Sequence, residues 1–388
     1  MNSQFWGSTV LQMSHADSTI MHSAIALGLM GERFQINLVA TDDNALANTR
    51  HMSAQVQYYK AITRLVKQLD RNDDSTLRST LMSCSVLICF EFLQGNEEGA
   101  IMHLKSGIKI LERWLGGSGL NHKRPLPKLK GWDDIDDMVR IFGVLDLQGT
   151  NWLGLSSYIS PEIIPILLIP PTPTPDAFKS IDEALQHLEV TGYKVCSLQR
   201  LFAVKSESVA TKDSSEELEM QSRLVLHDLE KWKSALEGFL NAQGCVLMLD
   251  DKIRSDILFI HWTCTFVRVA AGFEFDEYNN YAQYGKEFAV VLSTATQLLK
   301  PVNIALERNL VAIGNSYNPK TDPMPLFAFC MGLIYPLFFV ATKCHDEAVV
   351  EKALDLLETD PWREGAWDSC AMAKIAARWR RQLFAQTR

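Results

Sequence analysis

The feature that most constrains this chain is a pair of apolar segments separated by a short polar break. Residues 77–94 are mostly apolar and end in Gln94-Gly95-Asn96. In the next segment, 97–115, Ala100, Leu104, Ile108, Leu111 and Leu115 recur three or four residues apart. That spacing aligns them on one face of a helix, which turns once every 3.6 residues. Glu97 and Glu98 fall in its first turn, where the helix dipole favours carboxylates. Two helices joined by so short a turn fold back as an antiparallel hairpin. Gly99, Ala100 and Gly107 offer small surfaces that let the pair approach closely.

The same period governs most of the chain. Residues 19–31 set Ile20, Ala24 and Leu27 on one stripe, with Gly31 as the expected stop. Further helices are expected at 180–202, 214–241, 253–272, 284–299, 326–342, 346–358 and 368–385. Within 214–241, Leu226, Leu229, Trp232 and Phe239 form a core stripe. Alternation of period two is scarce. The expected fold is therefore all-α, with helical hairpins packed into one large soluble domain over 1–388. Six of the fourteen prolines crowd residues 161–175. Proline lacks an amide donor and disfavours helix in the residue before it. An extended crossing is expected there, separating helical halves 1–160 and 176–388.

Charge narrows the function. The formal net charge is −8, with 38 Lys and Arg against 46 Asp and Glu. Binding nucleic acid through phosphates requires a basic patch, so this balance excludes a self-sufficient DNA or RNA binder. The eight cysteines contain no C-x-x-C pair, which removes zinc ribbons and thioredoxin-like motifs. Cys84 and Cys89, if helical, lie about 140° apart around the axis, too divergent to share a metal. His261 and Cys264 make a single ligand pair with no second pair to complete it. Buried, reduced thiols are expected, and no metal or cofactor is assigned. Residues 1–14 carry no Lys or Arg and no apolar core ending in a cleavage site, so no secretory signal is read there. Residues 324–342 run nineteen positions without a charge, about the length of a membrane span. They also hold Pro325, Gly332 and Pro336, and a buried core helix satisfies the same pattern.

Enzymatic motifs are few. Asp133-Asp134-Ile135-Asp136-Asp137 fits the D-D-x-x-D pattern with which helical terpene cyclases hold Mg²⁺ on a diphosphate. Asp133, Asp134 and Asp137 are thus the candidate residues for an alternative reading, a helical Mg²⁺-dependent prenyl-diphosphate enzyme. The aspartates follow Gly131 and precede the apolar run Met138–Leu147, so they are read first as caps of a helix start, whereas those cyclases carry the motif near the end of an apolar helix. The second metal motif of those enzymes is absent. Gly116-Gly117-Ser118-Gly119-Leu120 departs from the nucleophile elbow at its last position. There is no phosphate loop, dinucleotide fingerprint or zinc-protease motif. His15 is read near a helix start and His22 on a packed surface. The basic run 122–130 reads as an exposed loop or a weak nuclear-import signal. Lys374, Arg378, Arg380 and Arg381 read as the solvated face of the last helix.

Leu81–Asn96 followed by Glu97–Trp114 resembles the helical hairpin in the regulatory region of fungal binuclear zinc-cluster transcription factors. The specific parts are Phe90-Glu91-Phe92-Leu93-Gln94-Gly95-Asn96 and His103-Leu104-Lys105-Ser106-Gly107. Four further segments resemble that family in the same order: 5–29, Val144–Gln148, the pair Tyr335–Leu337 and Val340–Cys344, and Arg363–Asp368. The resemblance implies a soluble helical regulatory domain in the nucleus, with the cytoplasm as a second location, and no membrane span at 324–342. It implies a transcription regulator, not an enzyme, of a metabolic or secondary-metabolite gene set. The six-cysteine zinc cluster of those factors has no counterpart in these residues. Action is therefore expected through protein partners, other transcription factors or transcription machinery, or through a small-molecule effector, with DNA engaged only indirectly.

Overall fold

A computed structural model describes residues 5–39, 44–68, 74–117, Met138, 141–143, 145–146, 173–207, 212–244, 249–273, 277–299, 327–328, 332–359, 362–365 and 367–386. Among these the architecture is all-α. Contacts group the chain into two compact units, Met1–Ile169 with Pro323–Cys330, and Pro170–Asp322 with Met331–Arg388. Residues 161–172 of the proline-rich run lie outside the described residues, and Pro173–Pro175 are not helical.

The first unit contains α1 (Val10–Ala16), α2 (Ser18–Val39), α3 (Asn44–Gln68), α4 (Asp74–Gln94) and α5 (Glu97–Gly117). Asp17 is extended and divides α1 from α2. Its carboxylate accepts the Thr19 amide at 2.6 Å, the Gln68 side chain at 3.2 Å and the Ser79 hydroxyl. One side chain thereby caps α2 and ties it to α3 and α4. From Leu81 to Phe90 every residue of α4 is buried, because α2, α3 and α5 all pack on it. This explains why 81–90 is uncharged and mostly apolar, with only the small Ser83 and Ser85 as polar members: a helix covered on all sides needs no charged face. Residues 76–94 are long and apolar enough to cross a membrane, and 89% of that window is buried inside the protein.

Several details correct the sequence expectations. Gly31 does not stop α2, which runs on to Val39. A Cβ at Gly31 would meet nothing within 4 Å, so the residue is simply a partly exposed glycine within the helix. The buried row of α2 is Ile20, Ser23, Ala26 and Met30, with Ala24 and Leu27 only partly covered. His15 is exposed in the last turn of α1, where the dipole favours a basic group, and not at a helix start. Gly107 makes room for the Phe142 ring, which a Cβ would overlap, and not for α4. Helix α3 escaped the periodicity argument because it is apolar on two faces. Ala54, Ala61 and Leu65 are buried while Met52, Val56, Tyr59 and Val66 are exposed, so no single stripe stands out.

The second unit opens with α6 (Ile181–Glu207), α7 (Lys212–Gln243) and α8 (Leu249–Ala271). Ser180 caps α6 through the Glu183 amide at 3.2 Å, and Glu183 reaches back to the Lys179 amide at 2.6 Å. Trp232 is 1% exposed and donates its indole N–H to the Ala184 carbonyl at 2.7 Å. Trp262 repeats the device, donating to the Leu229 carbonyl at 2.8 Å. Burying the rings while pairing their one polar group joins the three helices at little polar cost. The expected stripe is present: Leu229, Trp232 and Phe239 are core, with Leu226 packed at its edge.

The chain continues through α9 (Glu277–Asn280), α10 (Gly285–Leu298), α11 (Ile334–Lys343), α12 (Glu347–Thr359) and α13 (Ser369–Gln386). Strands β1 (Arg363–Glu364) and β2 (Trp367–Asp368) pair antiparallel between α12 and α13. The helix expected over 326–342 is shorter than predicted: Phe327–Ala328 are extended and helix begins only at Ile334. Pro336 is then its third residue, where a missing amide donor leaves no intrahelical bond unmade.

The glycines give a test with opposite signs. Gly107→Ala forces a Cβ into Phe142, which is fully buried, and is expected to cost about 1–3 kcal/mol. Gly28→Ala, in open space on α2, is expected to stabilise by about 0.5–1 kcal/mol. Urea unfolding midpoints of the two variants decide it.

Candidate functional site

The residues singled out by the sequence gather into two buried polar centres, one in each unit. In the first, Glu91 sits near the end of α4 with 2% of its surface exposed. A carboxylate so placed must be supplied with donors, because desolvating it alone is prohibitive. Asn96 donates its side-chain amide at 2.8 Å, and Gln94 donates to the same oxygen. Gln55 of α3 in turn donates to Gln94 at 2.8 Å. Tyr58, also on α3, bonds Glu91 through its hydroxyl and lies 3.0 Å from His103 Nε2. A carboxylate only accepts, so Tyr58 donates to Glu91 and the His103 N–H donates to Tyr58. Burial raises the Tyr58 hydroxyl, and its bond to Glu91 raises it further. Burial also lowers the His103 imidazole, against the pull of Glu91.

Local backbone geometry makes this cluster possible. Gly95 adopts φ +79°, which ends α4 and turns the chain into α5 within two residues. Asn96 then accepts the Gly99 amide at 3.1 Å, capping α5. A Cβ on Gly99 would come 2.8 Å from the Glu91 carboxyl carbon, so only glycine leaves room for the buried acid. Glu91, Gln94, Asn96, Gly99 and His103 come from the two segments that carried the resemblance. Gln55 and Tyr58 come from α3 and had no signal in the sequence; Tyr58 stacks on Phe90 at 4.8 Å between ring centres. The cluster ties three helices together, and its acceptors are engaged by their neighbours.

The second centre joins the two late segments. Glu364, 6% exposed on β1, accepts the Leu333 and Ile334 amides at 2.8 and 2.9 Å. It also accepts the Trp362 indole N–H at 2.8 Å. The carboxylate thus caps α11 from 30 residues away in sequence and meets its dipole. A Cβ on Gly332 would overlap the Glu364 carboxylate. The Gly332 carbonyl accepts from His261 Nε2 at 2.7 Å. Gly365 turns the hairpin at φ +57°, Arg363 pairs with Asp368 at 3.1 Å, and Asp368 caps α13 through the Ala371 amide at 2.8 Å. Every polar member of the Arg363–Asp368 motif therefore has an architectural task.

Other candidates resolve individually. Asp133, Asp134 and Asp137 lie outside the described residues, as do residues 118–137 around them. Among the described residues no group of three or more His, Cys, Asp or Glu is arranged to hold a metal. Cys84, Cys89, Cys196, Cys264 and Cys344 are buried thiols outside any disulfide, and burial pushes the Cys84 thiol up to about 12. His22 is buried and bonds Gln57 at 2.6 Å. Arg380 corrects the expectation of a solvated basic face on α13. It is 6% exposed, donates to the Cys344 carbonyl at 3.0 Å just past α11, and pairs with Glu347. Lys374, Arg378 and Arg381 remain exposed.

Comparison with known proteins fits this geometry. Residues 1–161, which include the whole Glu91 centre, match the fungal specific transcription factor domain. The chain is also similar to the aspercryptin biosynthesis cluster-specific transcription regulator of Emericella nidulans, at 22% identity over 95% of this chain and 68% of that protein. No solved structure matches it. These two matches support a transcription regulator, and the matched domain implies a nuclear location in general. Nothing in these matches supports the diphosphate-enzyme reading.

Burial holds the His261 imidazole down to about 4, against the bond to Gly332 that raises it. Its unfolded value is about 6.5. Between those values the unfolded chain binds a proton that the folded one does not. Stability is therefore full near pH 7 and drains as the pH falls through that window, by about 3 kcal/mol from this group. Urea midpoints measured from pH 7 to 4 are expected to fall, and His261→Gln is expected to flatten the slope.

Proposed function

We propose that this chain is the regulatory module of a transcription regulator for a metabolic or secondary-metabolite gene set. It acts in the nucleus, performs no catalytic step of its own, and works through other transcription factors, the transcription machinery or a bound effector. The single observation that carries this is the transcription factor domain matched over residues 1–161. The relative's printed role, regulation of one biosynthetic cluster, favours a specific gene set over global control. Both polar centres serve architecture, as suits a body that presents surfaces. The −8 charge and the lack of a C-x2-C-x6-C array in these residues favour indirect engagement of DNA. Residues 1–388 are read as one helical regulatory body in two halves.

Deleting the gene is expected to change transcripts of a confined set of metabolic genes under conditions where it is expressed; an unchanged transcriptome overturns the proposal. These 388 residues by themselves are expected to show no sequence-specific DNA retention in a mobility-shift assay at physiological salt.

A further inference from the structure

Helix α3 carries two seams. Ala54, Ala61 and Leu65 face the inside of the first unit. On the opposite side Thr49, Met52, Val56, Tyr59, Thr63 and Val66 follow one another at spacings of three, four, three, four and three residues, and all six are exposed. Met52 and Tyr59 are each 64% exposed, Val66 59% and Val56 49%. Scattered apolar residues on a surface are ordinary, but a continuous row at this spacing is the seam of a coiled coil. From Thr49 to Val66 the row is about 26 Å long. The two threonines fit it, because their hydroxyls already bond the Ala45 and Tyr59 carbonyls at 2.9 and 2.8 Å.

Charge selects the occupant. Asn44–Gln68 contains no Asp or Glu, in a chain whose net charge is −8. Lys60 and Lys67 are exposed and each directly follows a seam residue, where coiled coils place the charges that choose a partner. A second α3 laid on this face brings no carboxylate to meet them. A helix with acidic flanks pairs both lysines.

We propose that the outer face of α3 docks an acidic amphipathic helix of a protein partner, with apolar residues at heptad spacing and Asp or Glu set against Lys60 and Lys67. This deepens the reading that the chain acts through protein partners, and it is tested separately from the transcript experiment above.

The test uses the full chain and two labelled synthetic helices of roughly 25 residues with Leu and Ile on the seam, one flanked by Glu and one by Lys. Fluorescence anisotropy is expected to show the Glu helix bound at least about tenfold more tightly, with the preference shrinking between about 0.05 and 0.5 M salt. The double variant Val56→Asp, Tyr59→Asp is expected to lose binding at least about tenfold, with an unchanged unfolding midpoint because both sites are exposed. Lys60→Glu with Lys67→Glu is expected to reverse the preference to the Lys helix. No binding of the Glu helix, or equal binding by the aspartate variant, overturns the proposal. So does a dimer in sedimentation that the aspartate variant dissociates, which would make a second copy the occupant. Binding to phosphatidylserine vesicles in place of either helix, abolished by the same variant, overturns it in favour of a membrane. Transcript changes on gene deletion persisting beside any of these failures would leave the regulatory role standing and remove only this surface.

Discussion

A buried carboxylate has to be met by donors, and much of each unit is arranged to supply them. Glu91 draws Gln94 and Asn96 from the turn after α4 and Tyr58 from α3, while Glu364 draws two amides at the start of α11 and the Trp362 indole. Each acid also requires a glycine beside it, Gly99 or Gly332, because a Cβ would occupy the space of the carboxyl group. Such a requirement is costly to satisfy and therefore selective. An alternative packing that strands either carboxylate forfeits several kcal/mol, whereas exchanging one apolar contact for another forfeits little. The register of α4 against α3 and α5, and of β1 against α11, follows from that asymmetry.

For a regulator this arrangement separates what must stay fixed from what can be offered outward. Glu91 and Glu364, the buried acids of the segments that carried the resemblance, are engaged inside, in ties and caps. Arg380 is spent in the same way, on the carbonyl just past α11 and on Glu347. What α3 offers outward is an apolar row with a basic flank, on a helix whose opposite face is anchored by Ala54, Ala61 and Leu65. In the proposed docking on this face, the binding energy would come from burying apolar side chains and the choice of partner from charge.

How much of this could be read beforehand depended on whether a helix had one environment or several. The hairpin of α4 and α5 was legible because Gln94-Gly95-Asn96 is a strong break and α5 has a single apolar face. The stripe of Leu229, Trp232 and Phe239 was legible for the same reason. Helix α3 was not, since two seams cancel the periodic signal that one would give. The late apolar helix was overextended from 326 because hydropathy does not register a cap that arrives from Glu364. Of the Glu91 centre, the Glu91–His103 stretch stood out as a motif, yet nothing marked Gln55 and Tyr58 as its partners.

Local rules written in the sequence determined the all-helical class and most helix positions, and composition fixed the acidic net charge of −8. Those properties depend on neighbours within a few positions or on summed charge. Tertiary structure alone decided which carboxylates are buried, which glycines make room for them, that Arg380 faces inward and that one face of α3 is left uncovered. Each of these depends on what lies across a helix interface from residues distant in the chain, and burial there, more than residue type, sets whether a polar or apolar side chain is spent on the fold or left for a partner.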